Sequence, residues 1–166
     1  VAEMFFPELC EKNSDPRARL HFTDGIQWVA DAKPGSYDVI IVDSTDPVGP
    51  AAGLFSETFY KNCQRALRAH GIVVGQSESP LFHPDLIVSM HQAMRSAGFA
   101  DTATLQFHQV TYPSGWWSCT MACKDARLDG FREQAAASKD FATRYYNVAI
   151  HSAARALPEF LRARLA

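Results

Sequence analysis

Two carboxylates three residues apart, Asp43 and Asp46, stand where an apolar run gives way to a stretch rich in proline and glycine: Tyr37-Asp38-Val39-Ile40-Ile41-Val42-Asp43-Ser44-Thr45-Asp46-Pro47-Val48-Gly49-Pro50. A carboxylate in that place can take a proton from an ammonium substrate, provided it comes within hydrogen-bonding reach of the nucleophile. It is a weak base towards an amine. Burial and a second negative charge both raise a carboxylate's pKa, and Asp43 beside Asp46 is expected to gain from both. Asp24 and Glu78 add acids at two other candidate strand ends, and carboxylates gathered at one sheet edge attract cations such as a polyamine or a sulfonium. The plain alternative is that Asp43 caps a turn and Asp46 is only solvated. That holds for a lone Asp after a strand, but the whole Asp-Ser-Thr-Asp-Pro-Val-Gly-Pro string reads as a site.

The elements that would carry these groups follow from the apolar pattern. Val39 to Val42 has no polar face, as in a strand covered on both sides of a parallel sheet. Pro47, Gly49 and Pro50 predict an open loop after it, and ligands of open α/β sheets bind beyond the carboxyl ends of strands. Upstream, Val1–Cys10 reads as the end of a helix with Pro7 near its exit. Ala18–Phe22 reads as a strand leading to Asp24-Gly25, and Ile26–Ala32 as a helix. Downstream, Ser56 is a good N-cap for a helix with Phe55, Phe59, Cys63 and Leu67 on one face and Gly71 beyond its end. Gly71–Gln76 is a second doubly buried strand ending at Ser77-Glu78-Ser79-Pro80, and Pro84 opens a helix that Gly98 closes. Strand and helix alternating with short loops predict a parallel sheet wound with crossovers. Thr104–Tyr112 and Trp116–Cys123 then predict a closing antiparallel hairpin. A polar surface helix is expected after Gly130, a short one after Tyr145-Tyr146-Asn147, and a last one opened by Pro158.

Within this frame several residues have a plain reading. Tyr112, placed at the end of the first hairpin strand, reads as an aromatic packed at a turn, and Trp116 and Trp117 read as hairpin packing. The six histidines are scattered. Neither H-E-x-x-H nor G-x-S-x-G occurs, and no cysteine has an evident histidine partner. Cys10, Cys63, Cys119 and Cys123 do not form a metal-binding spacing and read as free thiols, with no metal expected.

Bulk composition narrows the classes. A chain of 166 residues makes one domain burying roughly 70% of the surface of its unfolded state. With 47% hydrophobic and 20% charged residues, the chain reads as globular. Sixteen basic against eighteen acidic side chains, with no basic stripe, predict no nucleic-acid partner. No apolar run approaches the ~20 residues of a membrane span, and no signal pattern opens the chain, so the expected setting is the cytoplasm.

The motifs together resemble the spermidine synthases, the polyamine aminopropyltransferases. The resemblance rests on Asp43 to Pro50 with Leu54-Phe55 and Phe59-Tyr60, on Asp24-Gly25, and on Gln76-Ser77-Glu78-Ser79-Pro80. It continues in Thr111-Tyr112-Pro113-Ser114-Gly115 and in Tyr145-Tyr146-Asn147 with His151 and Leu157-Pro158-Glu159-Phe160. It implies transfer of an aminopropyl group from decarboxylated S-adenosylmethionine, a co-substrate rather than a cofactor, to putrescine, giving spermidine and 5′-methylthioadenosine. Asp43 would be the proton acceptor and Tyr112 would orient the amine, which displaces its plain reading. Asp46, with Ser44, Thr45, Gln76 and Glu78, would serve the acceptor. Asp24, Gly25 and Pro50 would serve the nucleoside. The implied fold is α/β, an incomplete Rossmann-like sheet of the class I methyltransferase type with a C-terminal antiparallel hairpin.

The nine glycines include no G-x-G, and the family's N-terminal β-hairpin domain and first two strands have no counterpart. Residues 1–166 are therefore expected to be the C-terminal portion of the catalytic domain. Unpaired edges and an uncovered apolar face would follow, and a homo-oligomer is one way to cover them. The alternatives are an aminopropyltransferase with another acceptor, of thermospermine type, a methyltransferase on the same sheet, and a non-catalytic oligomerisation or regulatory chain.

Overall fold

The computed structural model describes residues 1–165. Its centre is a four-stranded mixed sheet in the order β1-β2-β4-β3, formed by Tyr37–Val42, Leu67–Gln76, Asp101–His108 and Trp116–Cys123. β1 and β2 run parallel, Val39 opposite Ile72 and Val42 opposite Gly75. β4 lies antiparallel to β2 and forms a hairpin with β3, which becomes one edge of the sheet while β1 is the other. The parallel pair and the closing hairpin are as the pattern predicts.

Three helices cover one face: α3 (Gly25–Asp31), α4 (Glu57–Ala66) and α5 (Pro84–Ser96). Each begins where the sequence supplies a start. Asp24 accepts from the Ile26 and Gln27 N–H groups at 2.8 and 3.2 Å, and Ser56 Oγ accepts from Phe59 N–H at 3.1 Å. Pro84 occupies the first turn of α5, where its missing N–H costs nothing. The core lies between these helices and β2–β4, with Phe59, Cys63, Met90 and Met94 against Val73 and Ala122. Gly75 lets α5 come close, since a Cβ there would stand 3.3 Å from Met90 Cε.

The remaining helices are short: α1 (Ala2–Phe5), α2 (Pro7–Cys10), α6 (Glu133–Ala137), α7 (Val148–Arg155) and α8 (Glu159–Leu165). Pro7 starts α2 rather than closing one longer helix, because the chain breaks at Phe6 (φ −138°, ψ 53°). Asn147 caps α7 through Ile150 N–H at 2.8 Å.

Four further expectations need correction. Ala18–Phe22 is not a strand: the sheet ends at β1 and offers it no ladder partner. Gly49–Phe55 winds into a 3₁₀ helix instead of staying open, since Pro50 in its first turn fixes a suitable φ. Leu67 begins β2 instead of ending α4; it reaches the same core from the strand, and the chain turns through His70 (φ 60°) before Gly71. The first hairpin strand spans Asp101–His108, so Tyr112 lies inside the loop that follows it.

Candidate active site at the sheet edge

The carboxyl ends of β1 and β2 and the loop of the β3–β4 hairpin meet at one edge of the sheet, a consequence of pairing β4 antiparallel to β2. They enclose an open cleft of about 860 Å³. Asp43, Ser44, Thr45 and Asp46 form one wall, Gln76 contributes from the end of β2, and Tyr112 faces them from the hairpin loop. Tyr112 is stacked on Trp117 at 4.1 Å between ring centroids, with 19° between the planes, and both rings line the cleft. A pair of π-faces opposite two carboxylates favours an alkylammonium guest on both sides. Among the described residues neither Asp43 nor Asp46 takes part in a salt bridge with a basic side chain.

On the other side of β1 lies an apolar depression of about 350 Å³, floored by Val29, Ile40, Val42 and Leu54, with Gly25 at its rim. Asp43 and Ser44 line this depression as well as the cleft. The acid therefore stands at the boundary between an apolar compartment and an acidic, aromatic one.

Not every predicted site residue is on these walls. Asp43 is exposed, so the burial expected to strengthen it as a base is not provided here. The buried acid of this edge is Glu78, which lines neither cavity. Burial pushes its pKa up, the neighbouring Asp46 adds to that, and His83 works against it. Asp24 also lines neither cavity; its carboxylate is engaged in capping α3. Pro50 is exposed on the 3₁₀ segment. The residues that the fold brings together are Asp43, Ser44, Thr45, Asp46, Gln76 and Tyr112.

Two contributors escaped the sequence reading. Trp117, read there as hairpin packing, is a wall of the cleft, whereas Trp116 does pack, edge-on against Phe160 at 6.2 Å. Alternation along β4 put the two tryptophans on opposite faces, which was the available signal. His83, at 2.6 Å from Glu78 through Nδ1, had none beyond its place ahead of Pro84. All four cysteines are free, and burial raises the Cys63 and Cys119 thiols to about 12 and about 11, outside the reactive range. Among the described residues no three His, Cys, Asp or Glu side chains gather as metal ligands, and no helix is long and apolar enough to cross a membrane.

Comparison with known proteins bears on the same residues. The profile of the spermine/spermidine synthase domain matches residues 1–130. The chain belongs to this family. It is 65% identical over 160 residues to a polyamine aminopropyltransferase of Methylococcus capsulatus, and 59% identical over 166 residues to one of Thioalkalivibrio sulfidiphilus. These alignments take in 96% and 99% of the chain but 56% and 59% of the relatives, so the chain spans a little over half their length. Among solved structures it resembles a spermidine synthase in complex with the transition state analogue AdoDATO, with a TM-score of 0.89 at 31% identity, covering 99% of this chain and 56% of that one. The spermidine synthase of Thermotoga maritima gives a TM-score of 0.85 at 31% identity, with 99% and 55% covered. The match to these solved structures bears out the α/β, Rossmann-like fold with its closing hairpin.

Proposed function

We propose that the cleft is the acceptor site of an aminopropyl transfer, with putrescine as acceptor and decarboxylated S-adenosylmethionine as donor. The observation that carries this reading is the position of Asp43 on both cavities, next to an apolar depression suited to a nucleoside thioether and a cleft suited to a diamine. The amine nitrogen attacks the carbon beside the sulfonium, the new C–N bond forms as the C–S bond breaks, and the sulfur leaves as a neutral thioether. One proton must go from nitrogen to a base, and no general acid is required. Asp43 takes that proton. Asp46 and Gln76 hold the amine, while the Tyr112–Trp117 stack directs its chain towards Asp43. Gly25 and the apolar floor beside it receive the nucleoside, and Asp24 supports them by fixing the start of α3.

The test is release of methylthioadenosine by the protein as its gene encodes it, supplied with both substrates. Asp43→Asn should lower kcat by about 10²–10⁴, the range of a lost general base, with the affinity for methylthioadenosine unchanged. Turnover within a few-fold of the wild type would remove Asp43 from the mechanism. Competition between putrescine and spermidine then fixes the acceptor.

A further inference from the structure

The segment Gln76–His83, between β2 and α5, is held by several side-chain bonds. Glu78 adopts φ 59°, a left-handed conformation costing a non-glycine residue about 1–2 kcal/mol. Its neighbours hold it there from three directions. Its N–H donates to Gln76 Oε1 at 3.1 Å, its carbonyl accepts from Ser118 Oγ at 2.8 Å, and its carboxylate is 2.6 Å from His83 Nδ1. Ser118 is fully buried and tied to Ser77 at 2.8 Å; Thr120, Thr104 and His91 continue the chain of bonds to α5. Strain that a structure keeps with this much support commonly serves a site.

The support aims one group, the Glu78 carboxylate. Its side chain is 5% exposed and lies next to Asp46, while the side chain of His83 is 49% exposed. Two neighbouring carboxylates, one of them buried, tend to share a proton and so lose a negative charge. The charged groups facing Glu78 are His83, at the start of α5, and Asp46, after β1; β4 and β2 face it with the uncharged Ser118 and Gln76.

We propose that His83 is a positioning residue for the cationic acceptor, holding Glu78 ionised and oriented behind Asp46 so that its charge adds to those of Asp43 and Asp46 on the cleft wall. His83 acts through Glu78. An N–H of its ring offsets part of the cost of keeping a charge out of water, and its exposed side leaves it free to exchange protons with solvent. The inference rests on the aminopropyl-transfer reading of the same cleft.

The experiment is steady-state kinetics of the protein as its gene encodes it, for the wild type, His83→Ala and His83→Asn, with putrescine and decarboxylated S-adenosylmethionine varied separately. His83→Ala should raise the KM for putrescine on the order of tenfold, as expected for one charge-assisted hydrogen bond. The KM for the donor and kcat should stay within about twofold, and the acid limb of kcat/KM should move to higher pH. His83→Asn keeps an N–H near the position of Nδ1 and should restore most of the putrescine KM. An active wild type with an unchanged putrescine KM in His83→Ala overturns this inference alone, as do equal losses in both KM values and kcat. A wild type that transfers nothing overturns the reading beneath it. The NMR signal of His83 Nδ1 at one fixed pH separates the two failures: it should move in Glu78→Gln, and an unmoved signal overturns the pairing whether or not turnover is seen.

Discussion

The two faces of the site are built to different degrees of completion. On the α5 side, polar groups that leave water do so in pairs: both ring nitrogens of His91 are bonded, to Thr102 and Thr104 at 2.8 Å, and no buried side-chain nitrogen or oxygen among the described residues lacks a partner. Along β1 and the segment before it, Ile40 and Val42 are only partly buried against the core, and much apolar surface stays in water; Ile41 is 74% exposed and Phe22 96%. The α5 side thus owes its geometry to groups within the chain, because α5, β2 and β4 are mutual neighbours. The β1 side has its floor and its acid, but its outer strand edge is unpaired and apolar.

The sharpest way to break this contrast is to shorten one side chain on each side. Met94→Ala, in the fully buried core under α5, should cost about 2–5 kcal/mol. Ile41→Ser should stay within about 0.5 kcal/mol, as exposed positions do. Urea unfolding reads both, and a large loss at Ile41 would mean that the β1 face is covered in solution by another chain or another copy.

The contrast is sharpened by acid. Burial is the main cause of His91 being pushed down to about 4, with Arg95 adding to it and Asp101 opposing. In the unfolded chain the ring titrates near its usual value of about 6.5. Between those values the unfolded chain holds a proton that the folded one refuses. Stability present above about pH 6.5 is therefore lost as the pH falls through about 4, by roughly 3 kcal/mol at 1.36 kcal/mol per unit. Urea midpoints between pH 7 and 4 should show this decline in the wild type, and His91→Gln should flatten it. An equal slope in the variant would place the acid sensitivity elsewhere.

A smaller loss is expected at the start of α3. Asp24→Ala removes two bonds at the start of α3 and should cost about 1 kcal/mol. A loss of methylthioadenosine affinity no larger than that destabilisation explains would confine Asp24 to capping, whereas a much larger one would give it contact with the nucleoside.

What could be read from the sequence follows the distance over which each feature is decided. Val39–Val42, the Ser56 cap, Pro84 and the period-two run Trp116–Cys123 are local, and each element appears where its residues put it. Ala18–Phe22 has equally good strand composition, but a strand is completed by its neighbour, and none stands beside it. The site divides the same way. Asp43, Asp46 and Gln76 follow from strand ends, whereas the Tyr112–Trp117 stack depends on how the hairpin loop folds back. The bond between His83 and Glu78 depends on a left-handed residue that a sequence of non-glycine residues does not announce.

The hairpin loop that carries Tyr112 is closed at its base, where Gln109 N–H donates to the Gly115 carbonyl at 3.0 Å and Gly115 adopts φ 63°. Between these two points Val110, Thr111, Tyr112 and Pro113 are exposed. To the sheet, everything from 110 to 114 is a parenthesis: its contents can be lengthened at a closure cost that grows only with the logarithm of their number. To the cleft, Tyr112 within the same stretch is an end wall. Variation confined to this loop can change the length of guest that fits while the strand register and the acids stay where they are, giving the shape of the cleft and the stability of the fold separate stretches of sequence on which to vary.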